Sequence, residues 1–192
     1  MELMPTAPDL VELGRVVAGY CERPAESIDE GELTDVLRLE RTLINRLELH
    51  FAGVAARFAA SYDEDEHGNS SPISWMREHC RMTSTAAMAA ICVGDQAVRL
   101  ERSTTALAEG RLGFAHLSLM ASTASAIEHS PSATARFDEI GLLVQAQTVQ
   151  VVRFREICAH LRHEADRDGF LAAQLEQRDW RTLEITPCGD GG

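Results

Sequence analysis

The feature that most constrains this chain is a series of apolar residues spaced alternately three and four apart. It consists of Leu33, Leu37, Ile44, Leu47, Phe51, Val54 and Phe58, and Glu40 interrupts it. That spacing marks one face of an α-helix, and its seven-residue period is typical of helices that pack lengthwise against another helix. Roughly thirty residues at ~1.5 Å each make a helix about 45 Å long. The sequence therefore predicts a helix that either forms the spine of the domain or pairs with its own copy, giving a homodimer through residues 33–58.

The rest of the chain has helical spacing in nearly every segment. Ala and Leu are abundant and aromatic residues make up only 5% of the sequence, which favours helix over strand. The predicted helices cover residues 8–21, 72–80, 84–100, 114–128, 132–144, 147–166 and 170–179. Residues 103–110 are expected to form turns that Gly110 ends, and residues 180–186 alternate as a strand does. The predicted fold class is all-α, a multi-helix bundle with one long N-terminal spine helix and a helix-turn-helix-like core.

An acidic segment rich in Gly, Asn and Ser is the strongest candidate for an internal boundary. It reads Y-D-E-D-E-H-G-N-S-S and covers residues 62–71. It predicts an N-terminal part, residues 1–62, with the first helix and the long helix. The second part, residues 71–192, is predicted to form the helical core.

The charge of the chain is strongly negative and unevenly distributed. Thirty acidic residues face eighteen basic ones, all of them Arg, for a net charge of −12. Residues 1–70 hold fifteen acids and six Arg, and the remaining residues hold fifteen acids and twelve Arg. A protein that binds nucleic acid normally presents a basic face, and this balance argues against one. Any binding of DNA by this chain alone is expected to be weak.

Cysteine usage and hydropathy indicate the compartment. The five cysteines, Cys21, Cys80, Cys92, Cys158 and Cys188, are scattered singly, which suggests reduced thiols. The N-terminus lacks the basic start and apolar run of a signal peptide. No run approaches eighteen consecutive apolar residues, so no membrane span is expected. The predicted location is the cytoplasm.

Residues that could carry chemistry are few. His160 and Glu164 are four apart and could share a metal, but the order differs from the zinc-protease motif, and a polar helix face is the favoured interpretation. His116 lies in the apolar segment G-F-A-H-L-S-L-M, where it is either a hydrogen-bonded core residue or a functional imidazole. The sequence lacks a Gly-x-Ser-x-Gly elbow and a phosphate-cradling glycine motif. We therefore predict no catalytic, metal-binding or cofactor-binding residues and no cofactor.

Residues 72–127 have the order short helix, tight link, helix, turn and helix, which resembles the core of a helix-turn-helix module. Five arginines are candidates for contacts with DNA phosphates: Arg77, Arg81, Arg99, Arg102 and Arg111. Four acidic residues are interleaved with them, and small helical bundles without DNA are common. The pattern leaves both interpretations open.

Several short motifs resemble the actinobacterial domain of unknown function 222. They are S-P-I-S-W-M, R-M-T-S-T-A-A and A-L-A-E-G-R-L-G-F-A-H, followed by D-R-D-G and E-Q-R-D-W-R-T-L-E-I-T-P-C-G-D-G. Trp75, Gly110 and His116 match positions of that pattern, whereas Met76 and Arg167 depart from it. The resemblance implies an accessory region that usually precedes a His-Asn-His (HNH) endonuclease domain. The Cys and His ligands of such a nuclease do not occur in this sequence, so we expect no nuclease activity.

Three functions are therefore carried forward. The leading hypothesis is a non-catalytic helical accessory or interaction module that acts through protein or DNA contacts. The alternative is a structural or oligomerising helical protein without a nucleic-acid role. An enzyme built around His116, or around His160 and His163, ranks last.

Overall fold

A computed structural model describes residues 8–63, 71–130 and 136–165, and these residues are almost entirely helical. They form eight α-helices: α1 Pro8–Cys21, α2 Leu33–Ala60, α3 Pro72–His79, α4 Ser84–Gln96, α5 Glu101–Ala108, α6 Phe114–His129, α7 Glu139–Ala146 and α8 Val151–Ala165. A short 3₁₀ turn covers Ala25–Ser27. The all-α prediction is confirmed, since these ranges contain no strand. The segments 170–179 and 180–186, predicted as a helix and a strand, lie outside the described residues, as does most of the boundary loop 62–71.

Helix starts follow the capping residues of the sequence. The Ser71 hydroxyl accepts a hydrogen bond from the Ser74 backbone N–H at 3.2 Å, and Pro72 occupies the first turn of α3. The Thr83 hydroxyl does the same for the Ala86 N–H at 3.1 Å, which begins α4. These side chains satisfy backbone donors that have no partner within the helix. The capping residues alone were therefore sufficient to predict where α3 and α4 begin.

The region after α4 differs from the prediction. We expected one helix over residues 84–100 and a turn-rich piece over 103–110, whereas α4 ends at Gln96 and α5 occupies Glu101–Ala108. A distant residue explains the difference, because the Glu139 carboxylate accepts hydrogen bonds from the Ser103 N–H at 2.8 Å and from its hydroxyl at 2.9 Å. A negative group at a helix N-terminus stabilises the helix.

The end of α5 has the geometry that Gly110 predicts. Gly110 has a φ of 77°, which glycine adopts without steric cost. The Arg111 N–H then donates to the Ala106 carbonyl at 2.8 Å and the Gly110 N–H donates to the Leu107 carbonyl at 3.0 Å. Together these bonds close the last turn of the helix.

The chain divides between Glu40 and Arg41 into two compact units. The first contains α1 and the beginning of α2, and within it the Tyr20 hydroxyl donates to the Glu40 carboxylate at 2.8 Å. The second unit contains the remaining helices and a core of fully buried side chains. The largest of them are Phe154, Met76, Leu100, Leu107, Leu117, Met120 and Val93.

A second, smaller cluster joins α2, α3 and α4 within this unit. Met76 and Ala87 are buried in it, and Trp75 packs against it. As one of only two tryptophans in an aromatic-poor sequence, Trp75 is predicted to be largely buried against the helices at 84–100 and 114–128. It is only half-buried, and its indole lies 4.7 Å from the Phe58 ring and 4.4 Å from the His79 ring, measured between centroids. In the described residues this cluster contains no side chain of α6.

Within the described ranges, no helix is both long enough and apolar enough to cross a membrane.

Candidate functional site

The most unusual surface of the second unit is the apolar stripe of α2, formed by Ile44, Leu47, Phe51 and Val54. Their exposed fractions are 45%, 46%, 38% and 53%. A helix that packs along the domain or pairs with its copy predicts that Leu47 and Phe51 are shielded from solvent, and within a single chain this prediction is wrong. Leu33 and Leu37, which begin the same series in the first unit, are also exposed. Residues 8–63, 71–130 and 136–165 thus leave the four side chains of the stripe largely open to solvent.

The buried residues of α2 lie on a face beside the stripe. They are Asn45, Ala52, Ala55 and Ala56. At about 100° per residue, Asn45, Ala52 and Ala56 lie about 100° or more around the helix from Leu47 and Phe51, and Ala55 lies between the two groups. The fully buried positions of α2 thus carry small side chains, with Leu49 and Phe58 partly buried against the core, and the four large residues of the stripe face solvent.

Gly94 of α4 allows α4 to pack closely on the small residues of α2. A Cβ atom added at Gly94 would lie 2.1 Å from the Ala52 carbonyl oxygen and 2.6 Å from the Ala56 Cβ atom. Real Cβ atoms do not approach so closely, so only glycine permits this helix crossing. Two helices with small residues at the contact approach each other more closely than helices with leucine there.

Polar groups fix the rotation of α2 on the core. The buried Asn45 amide donates to the Leu112 carbonyl at 3.4 Å, and its oxygen accepts from the Arg41 Nε atom at 2.9 Å. The Arg46 Nε atom donates to the Ala108 carbonyl at 2.7 Å, which places a cation at the C-terminus of α5. A cation is favoured at that end of a helix. These bonds hold the stripe in a defined, outward orientation.

The five arginines proposed as phosphate contacts occupy different places. Arg102 and Arg111 line one open cleft of about 460 Å³ between α5 and α7. Arg99 lines a different cleft, next to Glu128. Arg77 lies in the last turn of α3, and Arg81, exposed like Arg77, follows that helix with a φ of 55°. The structure thus brings one pair of the five into a common cleft.

Carboxylates accompany these arginines. The Arg111 Nε atom donates to the Glu109 carboxylate at 2.8 Å, and the Arg99 guanidinium forms an ion pair with Glu128. Burial alone would raise the pKa of the Glu128 carboxyl, but hydrogen bonds from Gln96 and Arg99 and the charge of Arg99 lower it overall. Because each of these two arginines has an acidic neighbour, the surrounding surface carries both signs of charge.

His116 has a structural partner. Its Nε2 atom lies 3.0 Å from the Val149 carbonyl oxygen, and its ring packs on Phe154 with 5.4 Å between centroids. The carbonyl requires a proton on Nε2, so this nitrogen is the donor. The imidazole therefore joins α6 to the segment that precedes α8.

The other side chains that could carry chemistry either lie apart from a third such group or are buried. His160 Nε2 and Glu164 lie 3.2 Å apart on the exposed face of α8. Among the described residues, no three His, Cys, Asp or Glu side chains converge as a metal site requires. Cys158 is buried, and burial raises the pKa of its thiol, which disfavours the nucleophilic thiolate.

Comparison of the chain with protein-family models, with curated proteins and with solved structures found no significant match in any of the three. The resemblance to the domain of unknown function 222 and the helix-turn-helix interpretation of residues 72–127 both stay predictions from the sequence.

Sequence reasoning missed Gly94, which allows α4 to pack closely on α2, and Glu139, which caps the start of α5. Gly94 carried one signal, because it interrupts the Ala-rich helix A-A-M-A-A-I-C-V-G-D-Q, and a glycine inside a helix often marks a close backbone contact. Glu139 carried none, since its partner Ser103 lies 36 residues earlier in the chain.

Proposed function

We propose that this chain is a non-catalytic helical interaction module whose working surface is the exposed stripe of α2. One observation supports this most directly: Ile44, Leu47, Phe51 and Val54 form an apolar stripe that the described part of the chain leaves exposed. Contiguous apolar surfaces of this kind usually mark sites of protein contact, whereas isolated exposed apolar residues do not. A partner protein that covers the stripe would remove these side chains from water.

The other surfaces support a binding role over an enzymatic one. Catalysis needs a nucleophile, acid or base within reach of a second group that activates it. His116 is occupied by the Val149 carbonyl, and His160 shares its exposed helix face with a single carboxylate. The accessory role implied by the family resemblance agrees with this view.

Site-specific photo-crosslinking in the native cells would test the proposal. A photoreactive residue in place of Leu47 should give covalent protein adducts on irradiation. The matched control is the same residue in place of Val152, which is an exposed apolar residue of α8 outside the stripe. If position 47 gives no more protein adducts than position 152, the stripe is not a protein-binding surface and the proposal fails.

Association with DNA is the second candidate, and the pair Arg102 and Arg111 favours it. Both line the cleft between α5 and α7, so they could contact neighbouring phosphates. The net charge of −12 and the ion pair of Arg111 with Glu109 argue against strong binding of DNA. Any binding by this chain alone should therefore be weak, and two phosphate contacts predict a shallow salt dependence, with a slope of about −2 on a log–log plot.

A titration of labelled duplex DNA at physiological salt tests this candidate. We expect no saturation at submicromolar protein. Nanomolar affinity that is lost in Arg102→Glu and Arg111→Glu, and kept in the matched variant Arg153→Glu on α8, would instead favour DNA binding as the main function.

A further inference from the structure

We propose that a groove beside α4 binds an aliphatic ammonium group, carried either by a lysine side chain or by a free alkylamine. This groove, the α4 groove, lies within the second unit between side chains of α3, α4 and α6 and has a volume of about 350 Å³. That volume falls within the range of sites for small ligands. The groove shares no residue with the α2 stripe, so this inference goes beyond the proposed function.

The spacing of residues in α4 gives the groove an apolar end and a polar end. Met88, Ile91 and Asp95 line it, and at about 100° per residue they fall on one face of the helix. Asp95 follows Ile91 by about 6 Å and Met88 by about 10 Å along the helix axis. Ile73 of α3 packs in the same cluster as Ile91 and extends the apolar end. An aliphatic stem can therefore lie on these side chains while its charged end reaches Asp95.

Gln96, which lines the polar end, lacks a hydrogen-bond donor for its side-chain oxygen. Only 5% of the residue is exposed, and its Oε1 atom has no partner in the described part of the chain. A buried acceptor without a donor is rare, and a water or an ion from outside the chain usually completes it. The Nε2 atom of the same amide donates to the Glu128 carboxylate at a long 3.4 Å, so the amide is held weakly and can turn. A donor that enters the groove can thus use Oε1 as its acceptor.

The other polar groups at this end also accept hydrogen bonds. The Asp95 carboxylate is exposed and forms no ion pair with the residues that the structure describes. His129 lines the groove, and its Nδ1 atom donates to the Ser125 carbonyl at 2.8 Å, which leaves Nε2 of the neutral ring as an acceptor. A carboxylate, an amide oxygen and a ring nitrogen match the three donors of a primary ammonium.

The Cys92 thiol, which also lines the groove, registers the charge of Asp95. Burial raises the pKa of this thiol, and the negative charge of Asp95 raises it further. The Asp95 carboxylate thus sets a negative potential in the groove, and the net charge of −12 acts in the same direction. Both effects favour a cation over an anion as the ligand.

The ammonium group must come from a different molecule. All eighteen basic residues of this chain are arginine, so a second copy offers no lysine side chain. A guanidinium is flat and carries five donors in a fixed fork, whereas an ammonium is a compact charge with three donors. The acceptors of the groove suit the compact group. A lysine of another protein and a free alkylamine both supply it.

Titration of the full chain with n-butylammonium, followed by NMR of the backbone amides, tests the site. We expect saturable shifts around the α4 groove with a dissociation constant in the millimolar range. Asp95→Asn should weaken binding about tenfold or more, and Gln96→Leu, which removes the neutral acceptor, about threefold. The matched control Glu156→Gln removes the same charge from the exposed face of α8 and should bind as the wild type does.

Two results of this titration would overturn the inference. One is a dissociation constant above about 100 mM for the wild type. The other is equal binding by the wild type and Asp95→Asn. The anion n-butyrate has a similar stem and the opposite charge, so it should not bind, and binding as tight as that of n-butylammonium would equally contradict the inference.

The same titration with Nα-acetyl-lysine amide separates the two sources of the ammonium. Tighter binding than that of n-butylammonium supports a lysine of a partner protein, because the flanking peptide groups then fit beside the groove. Weaker binding supports a free alkylamine. The form acetylated on Nε keeps the stem and loses the charge. It should not bind, and undiminished binding of this form would show that the groove does not recognise an ammonium.

Discussion

The two faces of α2 within the second unit differ in a way that hydrophobicity alone does not explain. One face presents Ala52, Ala55 and Ala56 and is buried, while the other presents Leu47 and Phe51 and is exposed. Burial of the larger side chains would remove more apolar area from water. The chain nevertheless packs its small residues inward, because they allow the backbones of α2 and α4 to approach closely. The close fit between α2 and α4, and not hydrophobicity alone, therefore determines which residues of α2 are buried.

The largest effect is expected where that close approach is tightest. Gly94→Ala should lower the free energy of unfolding by about 3 kcal/mol, or about 6–12 °C in the melting temperature, because the new Cβ atom collides with the Ala52 carbonyl. Thermal unfolding followed by circular dichroism measures this.

The matched control for that experiment is Gly53→Ala, on the outward side of α2. A Cβ atom there meets no atom within 4 Å, so the same change should stabilise the helix by about 1 kcal/mol. If the two variants had equal stability, the small-residue contact would not be what holds α2.

A smaller loss is expected where Phe58, near the end of α2, packs against α3. Trp75→Ala should cost about 2 kcal/mol, less than the ~3–5 kcal/mol of a fully buried tryptophan, because the indole is half-buried against Phe58. Chemical denaturation gives the value. A loss near 5 kcal/mol would mean that Trp75 behaves as a fully buried core residue.

Removal of the Asn45 amide should lower the free energy of unfolding by a still smaller amount. Asn45→Ala deletes the amide that donates to the Leu112 carbonyl and leaves that acceptor without this donor. Loss of a buried hydrogen bond costs about 1 kcal/mol. We expect that loss in urea unfolding. An unchanged midpoint would show that alanine packing alone orients α2.

The smallest effect is expected on the exposed face. Leu47→Gln should change the free energy of unfolding by less than about 0.5 kcal/mol, as at most surface positions. Urea unfolding followed by circular dichroism measures this. A loss of about 2 kcal/mol would mean that the stripe is already packed within one chain.

Sequence reasoning succeeded where the signal is local and failed where it is not. Ser71 and Thr83 act on neighbouring backbone atoms, so these residue types alone located the starts of two helices. Gly110 was correctly predicted as a stop, although the helix that it ends was predicted as turns. The helical period of residues 33–58 was equally visible. Whether Leu47 and Phe51 are buried depended on Gly94 and the shape of α4, which no period in α2 reveals.

For the candidate functional surface, too, local features were predictable from the sequence and long-range packing was not. The residues of the stripe were identified from their spacing, but their exposure became known only from the fold. The shared cleft of Arg102 and Arg111 depends on how α7 lies beside α5. Such a juxtaposition of helices distant in sequence leaves no local pattern.

The carboxylate of Glu139 has a consequence for how the chain acquires its structure. Helix α5 has eight residues, fewer than the ~12–15 that an isolated helix needs in water. Its N-terminal donors are satisfied by a residue 36 positions later. During synthesis, α5 therefore stays without its cap until the ribosome has released residue 139, and we expect it to form together with α7 rather than before it.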